Sequence, residues 1–290
     1  MTFLSCGKFK LPLDRPLIMG VLNVTPDSFS DGGKYIEIKQ ALAHAKALIA
    51  EGADLLDIGG ESTRPGAALV SLEEERRRVV PVLEGLTGCA VPLSIDTQKP
   101  ELMREAVAAG AAMINDVCGF RAPGAFEAVA PSDAAICIMH MQGEPRTMQQ
   151  NPQYEDVTRE VRDDLAARVR AAEAAGIARE RIVIDPGFGF GKTQAHNLQL
   201  LRDLRELTGI GGALLAGLSR KTMLGSITGR GLTERIYASV SAALIAVQNG
   251  AQIVRVHDVA ATHDVLAVLQ AVQQNQAGGH AVTPSRVFNP

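Results

Sequence analysis

Three polar side chains that could hold a flat, nitrogen-bearing ring each follow a short apolar run of the sequence. Asp96 ends the run LSID, Asn115 follows the run AMI, and Asp185 ends the run IVID. Carboxylates accept hydrogen bonds and a carboxamide both donates and accepts them, so this set suits a heterocycle with amide and amine groups. Asp96 and Asn115 have a second interpretation as helix caps.

A cationic cluster near the end of the chain could bind an anion. It comprises Lys221, Arg255 and His257, and Ser219 and Arg220 directly precede Lys221. Arginine binds phosphate oxygens through two hydrogen bonds or lies against a ring, whereas lysine supplies a point charge. The whole chain carries a formal charge of −3, so the attraction for an anion must come from this local cluster.

The segment RIVIDPGFGFGK, residues 181–192, combines a strand-ending aspartate with three alternating glycines. Glycine lets the backbone approach something flat or charged, and the intervening phenylalanines offer ring faces. A tight turn in which Asp185 caps the next helix is the alternative interpretation. A Walker A loop is excluded because Pro186 replaces its first glycine, and a dinucleotide fingerprint is excluded because Lys192 replaces its third. The roles of Lys192 and of His140 stay open.

The apolar runs alternate with helical patterns along the whole chain. Strands are predicted over 17–22, 54–58, 93–95, 112–114, 135–139, 181–184, 213–218 and 252–256. Helices are predicted over 36–50, 72–86, 100–110, 124–130, 156–175, 196–207, 233–248 and 262–274.

Eight strand–helix units in about 250 residues predict an α/β fold, a single-domain (β/α)8 TIM barrel. We expect residues 1–16 to be a lead-in, residues 17–274 to form the barrel, and residues 275–290 to be a disordered tail. The active site of such a barrel lies at the carboxyl ends of its strands. The polar residues that follow the strands are therefore expected to meet there.

Composition narrows the class of protein. The negative net charge argues against a nucleic-acid partner, and no apolar run approaches the roughly 18 residues of a membrane span. The charged N-terminus is unlike a signal peptide. The four cysteines are dispersed without a C-x-x-C pair, which predicts free thiols in a reducing, cytoplasmic location.

From about Leu17 to about Gln274 the chain resembles the dihydropteroate synthase family. The resemblance rests on eight stretches in order, which together are highly specific: MGVLNVTPDSFSDGG (19–33), DIGGESTRPGA (57–67), SIDT (94–97), IND (114–116), MHMQGEPRTMQ (139–149), DPGFGFGK (185–192), GLSRK (217–221) and RVHD (255–258).

The resemblance implies a transferase of folate biosynthesis. The reaction would join 6-hydroxymethyl-7,8-dihydropterin diphosphate to 4-aminobenzoate, giving 7,8-dihydropteroate and diphosphate, with Mg2+ as cofactor. The substrates would be small molecules, with no nucleic-acid or membrane partner. The resemblance also implies a cytoplasmic homodimer and a sulfonamide target.

The family's binding residues carry over to this sequence motif by motif. The pterin would be held by Asp96, Asn115, Asp185, Met139, Lys221 and Arg255. The diphosphate would be held by Asn23, Arg255 and His257, and Asn23 would also place the metal. The aminobenzoate would lie among Phe29, Thr63, Arg64, Pro65, Phe190 and Ser219.

The catalytic set would be Asp31, Lys221, Arg255 and His257. Diphosphate is a good leaving group once its charge is neutralised, and the dihydropterin ring can stabilise a cation at its exocyclic carbon. The expected mechanism is therefore an SN1-like substitution without a side-chain nucleophile. Asp31 would stabilise the cation, and the aniline nitrogen would then attack.

Three other functions remain open from the sequence. A methyltetrahydrofolate:corrinoid methyltransferase shares the pterin-holding groups but has no use for the cationic cluster or for the TPDSFSDGG loop. A non-catalytic paralogue would bind pterin without turning it over. A Schiff-base aldolase would use Lys221, but no buried apolar pocket for that lysine is evident from the sequence.

Overall fold

The fold is taken from a computed structural model that describes residues 2–25, 34–62 and 69–276. Its first two strands are β1 (Phe3–Cys6) and β2 (Phe9–Pro12). The remaining strands are β3 (Leu17–Asn23), β4 (Leu55–Gly59), β5 (Leu93–Asp96), β6 (Met113–Asp116), β7 (Ala135–Met139), β8 (Ile182–Asp185), β9 (Ala213–Ala216) and β10 (Ile253–Val256).

Strands β3 to β10 form a closed parallel barrel. Each strand pairs with its neighbour in chain order, and β10 pairs with both β9 and β3 to complete the ring. The eight predicted strands and the TIM-barrel prediction are confirmed, with strand ends shifted by at most two residues. All eight carboxyl ends lie at one mouth because the strands are parallel.

Helices surround the barrel. They are α1 (Lys34–Ala50), α2 (Leu72–Gly85), α3 (Pro100–Ala108), α4 (Ala125–Val129), α5 (Val157–Ala174), α6 (Gln194–Arg202), α7 (Thr222–Thr228), α8 (Ile236–Gln248) and α9 (Val259–Gln276). The described residues contain no helix long and apolar enough to cross a membrane.

Local signals set several helix ends. The Ser71 side chain accepts a hydrogen bond from the Glu74 N–H and caps α2, and α3 begins at Pro100, as predicted. The short helix α7 was not predicted, because seven residues that include Gly225 carry too little periodicity to be recognised.

The N-terminal lead-in contains two strands that the sequence analysis did not predict. Strands β1 and β2 form an antiparallel hairpin, and Leu4 and Cys6 are fully buried. They pack against residues at the starts of the barrel strands, including Leu17 and Met113. The hairpin thus closes the barrel at the end opposite the mouth. Two runs of four residues are too short for their alternation to stand out in the sequence.

Candidate active site

The predicted pterin-binding groups come together at the barrel mouth. Asp96 ends β5, Asn115 lies near the end of β6, Met139 ends β7 and Asp185 ends β8. Asp96 and Asn115 are partners in the β5–β6 register, so their side chains lie side by side. Both are buried, which favours the interpretation as site residues over that of surface helix caps.

The centre of the site is a residue that sequence reasoning missed. Asp57 lies inside β4 and is fully buried. Its Oδ2 accepts hydrogen bonds from Arg255 Nε at 2.6 Å and from Asn115 Nδ2 at 3.0 Å. A second nitrogen of Arg255 donates to Asp96 Oδ2 at 3.1 Å. The sequence signal for Asp57 was a carboxylate inside the apolar run LLDIG. Arg255 is likewise a charged residue inside an apolar run, IVRV.

This network carries more negative than positive charge. Two carboxylates share one guanidinium, and burial together with the charge of Asp57 raises the pKa of Asp96 to about 8. The second oxygen of Asp57, Oδ1, is buried and has no hydrogen-bond partner among the described residues. A ligand edge with N–H donors would supply hydrogen bonds to Asp96, whereas the fully buried Asp57 lies out of a ligand's reach.

The loop after β8 begins with Asp185, whose Oδ1 accepts a hydrogen bond from the Gly187 N–H at 2.7 Å. Burial raises the pKa of Asp185. All three alternating glycines have positive φ, at +68°, +78° and +59°. A Cβ on Gly187 would overlap the His140 carbonyl oxygen, and one on Gly191 would lie 2.5 Å from the Gln142 carbonyl oxygen. Two of the glycines therefore permit close approach to the chain's own backbone, which differs from the expected approach to a ligand.

An apolar wall faces this loop. Met139 and Phe190 pack together with Val117, Met141 and Met148. Such a wall offers a surface against which a flat ring can lie. The interpretation of Met139 and Phe190 as ring-contacting residues fits this placement.

Lys221 follows β9 and approaches the same wall. Its Nζ lies 4.2 Å from the centroid of the Phe190 ring. Burial lowers the pKa of Lys221 to about 8, while Asp185 opposes that shift. The lysine thus has partly apolar surroundings that were not evident from the sequence.

Ser219 and His257 form a pair on the cationic side of the mouth. Ser219 Oγ accepts a hydrogen bond from the His257 backbone N–H and lies 3.0 Å from His257 Nδ1. In the tautomer that has its proton on Nε2, the Ser219 hydroxyl donates to Nδ1 and the Nε2–H is left for a ligand. Burial and the charge of Arg255 lower the pKa of His257 to about 3, so the neutral ring presents one N–H donor to an anion.

Arg220 has a structural partner. Its guanidinium forms an ion pair with Asp258, with the nearest atoms 2.6 Å apart, and its backbone N–H donates to Ser239 Oγ at 3.0 Å. Its φ is +59°, a left-handed conformation that is uncommon outside glycine. These contacts hold the turn that presents Ser219 and Lys221.

Comparisons with known proteins agree with this geometry. The family described as pterin binding enzyme matches residues 19–257. The dihydropteroate synthase of Neisseria meningitidis serogroup B is 54% identical over 278 residues, covering 93% of this chain and 98% of the relative.

The chain belongs to the dihydropteroate synthase family.

Solved structures of the family match the whole barrel. The dihydropteroate synthase of Xanthomonas albilineans with 4-aminobenzoic acid is 55% identical, with a TM-score of 0.89 and coverage of 94% of this chain and 99% of that one. The enzyme of Burkholderia cenocepacia complexed with 7,8-dihydropteroate is 53% identical, with a TM-score of 0.88 and coverage of 95% and 98%. Membership of the dihydropteroate synthase family disfavours the methyltransferase and aldolase interpretations.

Some of the residues assigned by resemblance to dihydropteroate synthases lie outside the described residues. They are Phe29, Asp31, Thr63, Arg64 and Pro65. Their assignments to the aminobenzoate pocket and to catalysis stay predictions.

The assignment of a metal to Asn23 can be tested against the donors at the mouth. Asn23 ends β3, and its Oδ1 and the Asp96 carboxylate both lie within 4 Å of the position that a Cβ on Gly59 would occupy. No cluster of three or more His, Cys, Asp or Glu ligands occurs among the described residues. Mg2+ commonly binds through one or two protein oxygens together with substrate phosphates. One amide oxygen beside a diphosphate site therefore fits Mg2+.

Proposed function

We propose that the chain condenses 6-hydroxymethyl-7,8-dihydropterin diphosphate with 4-aminobenzoate to give 7,8-dihydropteroate and diphosphate, the dihydropteroate synthase reaction of folate biosynthesis. The observation that carries this proposal is the buried network of Asp57, Asp96 and Asn115 on Arg255. In a family of dihydropteroate synthases, such an acceptor-rich mouth suits the amine and amide donors of a pterin.

The pterin would lie with its N–H edge on Asp96, Asn115 and Asp185. Its ring would rest against Met139, with the ammonium of Lys221 directed at a ring acceptor. Arg255 would leave part of its contact with Asp96 to lie against the pterin and meet the diphosphate.

The diphosphate would bind at the rim between β3 and β10. Arg255 supplies charge there, and the neutral ring of His257 supplies an N–H donor. Mg2+, placed by Asn23 and held mainly by the phosphate oxygens, would neutralise charge on the leaving group. The diphosphate would depart with the electron pair of the C–O bond. The aminobenzoate nitrogen would then form the new C–N bond to the exocyclic carbon and release one of its two protons to solvent.

The aminobenzoate would lie over Phe190 and beside Ser219, at the entrance to the pterin site. Its other predicted contacts are on Thr63, Arg64, Pro65 and Phe29. A sulfonamide would compete for this position, which follows from the family resemblance.

The role proposed for Asp31 can be tested by kinetics. If Asp31 stabilises a cation that forms only during reaction, Asp31→Asn should lower kcat about 100-fold, as loss of an electrostatic group commonly does. The dissociation constant of the pterin diphosphate should change less than about threefold, since ground-state binding does not use that charge. Equal losses in kcat and in pterin affinity, measured by single-turnover kinetics and by calorimetry, would contradict the cation role.

The proposed reaction itself is tested by measuring diphosphate release with purified protein, the pterin diphosphate and Mg2+, with and without 4-aminobenzoate. The expected result is release that accompanies formation of 7,8-dihydropteroate and depends on both substrates. Pterin binding without release would overturn the synthase assignment in favour of a binding-only paralogue.

We also propose that the chain forms a homodimer through α8 and α9. These helices pack side by side, and they expose the apolar or aromatic side chains Tyr237, Ile245, Val268 and Val272. Tyr237 is 80% exposed and Val268 is 66% exposed. Apolar groups concentrated on one pair of helices are typical of a protein interface.

We also propose a cytoplasmic location, which the four free cysteines support.

The dimer predicts a mass of twice the 30.7 kDa chain in light scattering. Tyr237→Glu combined with Val268→Glu should give a single-chain mass, because two buried charges per protomer would oppose association. Leu198→Glu on α6 is the control and should leave the dimer intact. A wild-type protein of single-chain mass at micromolar concentration would contradict this proposal.

A further inference from the structure

Lys192 is a buried lysine that the proposed reaction does not use. It follows the last glycine of the β8–α6 loop, and its side chain is only 3% exposed. A lysine at this depth is rare unless its charge is compensated. No carboxylate lies within ion-pair distance of its Nζ among the described residues, so the compensation must come from dipolar groups.

Those groups are hydrogen-bond acceptors arranged around one nitrogen. Lys192 Nζ lies 3.0 Å from the Gly187 carbonyl oxygen, 3.0 Å from the Phe190 carbonyl oxygen and 3.0 Å from His140 Nδ1. The His140 carbonyl oxygen is farther away, at 3.4 Å. An ammonium has three N–H donors and no acceptor, so the three nearest groups match the charged form one for one.

The histidine is poised as an acceptor. Burial and the charge of Lys192 lower the pKa of His140 to about 2, so its ring is neutral. With Nδ1 accepting from the lysine, the ring proton is on Nε2. Burial lowers the pKa of Lys192 itself to about 7, and Asp185 opposes that shift.

The carbonyl groups of Gly187 and Phe190, which accept hydrogen bonds from Lys192, belong to the β8–α6 loop at the candidate active site. Gly187 and Phe190 lie on either side of Gly189, whose missing side chain leaves room for Lys221: a Cβ there would lie 3.1 Å from Lys221 Cδ. The Gly187 N–H binds Asp185, and the Phe190 ring lies under the Lys221 ammonium. Without a central cation, the converging carbonyl dipoles would repel one another.

We propose that Lys192 is a positioning residue whose ammonium fixes the β8–α6 loop against the β7–α5 loop and so places the Phe190 ring for 4-aminobenzoate. It touches neither substrate in this role and acts through the backbone of Gly187 and Phe190. The inference rests on the proposed function. It assigns a role to Lys192, which the sequence analysis left open.

Lys192→Met keeps the length of the side chain and removes all three donors. We expect the KM for 4-aminobenzoate to rise about tenfold because Phe190 shifts. The KM for the pterin diphosphate should rise by a smaller factor, because Asp96 and Asn115 lie on other strands and Asp185 is the last residue of β8. Val169→Ala, a core substitution on α5, is the control for lost stability, and it should leave both KM values unchanged.

Nitrogen-15 NMR of the lysine ammonium groups supplies a readout that needs neither activity nor a folded variant. The protein has eight lysines. At pH 6 the ammonium signal assigned to Lys192 through its side-chain bonds should be protected from exchange with solvent. Absence of a protected Lys192 ammonium signal would overturn the inference, and so would unchanged 4-aminobenzoate kinetics in Lys192→Met. A wild-type protein without synthase activity would instead overturn the proposed function.

Discussion

Arg255→Met should abolish measurable turnover and destabilise the barrel at the same time. The arginine is the one described cation that contacts both Asp57 and Asp96. Its removal leaves the fully buried Asp57 without a counter-charge, which typically costs about 3 kcal/mol of folding free energy. It also removes the charge expected to face the diphosphate, so kcat/KM should fall about 1000-fold.

A second substitution separates these two effects. Asp57→Asn in the Arg255→Met background removes the stranded charge and should restore about 2 kcal/mol of stability in urea unfolding, without restoring activity. If the double variant is no more stable than Arg255→Met, the stability loss does not come from an uncompensated Asp57. If Arg255→Met retains near-normal kcat/KM, the assignment of Arg255 to the diphosphate is wrong.

Among glycine-to-alanine substitutions in the described part of the chain, Gly187→Ala should cause the largest loss of stability. Gly187 has a φ of +68°, and a Cβ there would overlap the carbonyl oxygen of His140. We expect a loss of about 3 kcal/mol, from the left-handed backbone and the overlap together. Displacing the loop would also pull its N–H from Asp185, so kcat/KM should fall about 100-fold.

Gly229 offers a matched control for the backbone term. It ends α7 at a φ of +69°, and a Cβ there would meet nothing within 4 Å. Gly229→Ala should therefore cost only about 1 kcal/mol and leave kcat/KM within about twofold. Equal losses of stability in the two variants, measured by urea unfolding, would show that contact with the His140 carbonyl is unimportant.

The two predictions concern different halves of one site. Asp57 on β4 and Arg255 on β10 are 198 positions apart in the sequence. The loop around Gly187 is held by contacts with the neighbouring loop after β7. The acceptor edge is thus built on rigid strands, whereas the apolar wall depends on packed loops. Substitutions at Phe190 are therefore expected to affect aminobenzoate more than pterin.

Much of this molecule was predictable from the sequence alone. Each barrel strand is a largely apolar run because both of its faces are covered, and Asp96, Asn115 and Asp185 each end or directly follow such a run. Parallel strands in a closed barrel bring their carboxyl ends together, so the residues Asp96, Asn115 and Asp185 had to converge once the fold was recognised. Motif resemblance then supplied the family and the expected chemistry.

Tertiary structure alone decided the partners of the buried charges. The sequence contains the aspartate of LLDIG and the lysine of GFGK, but no local pattern reveals that Asp57 binds Arg255 or that three acceptors surround Lys192. The hairpin that closes the far end of the barrel was missed for the same reason. Its two short strands, and these buried groups, are stabilised by contacts with residues distant in the chain, which periodicity and spacing do not record.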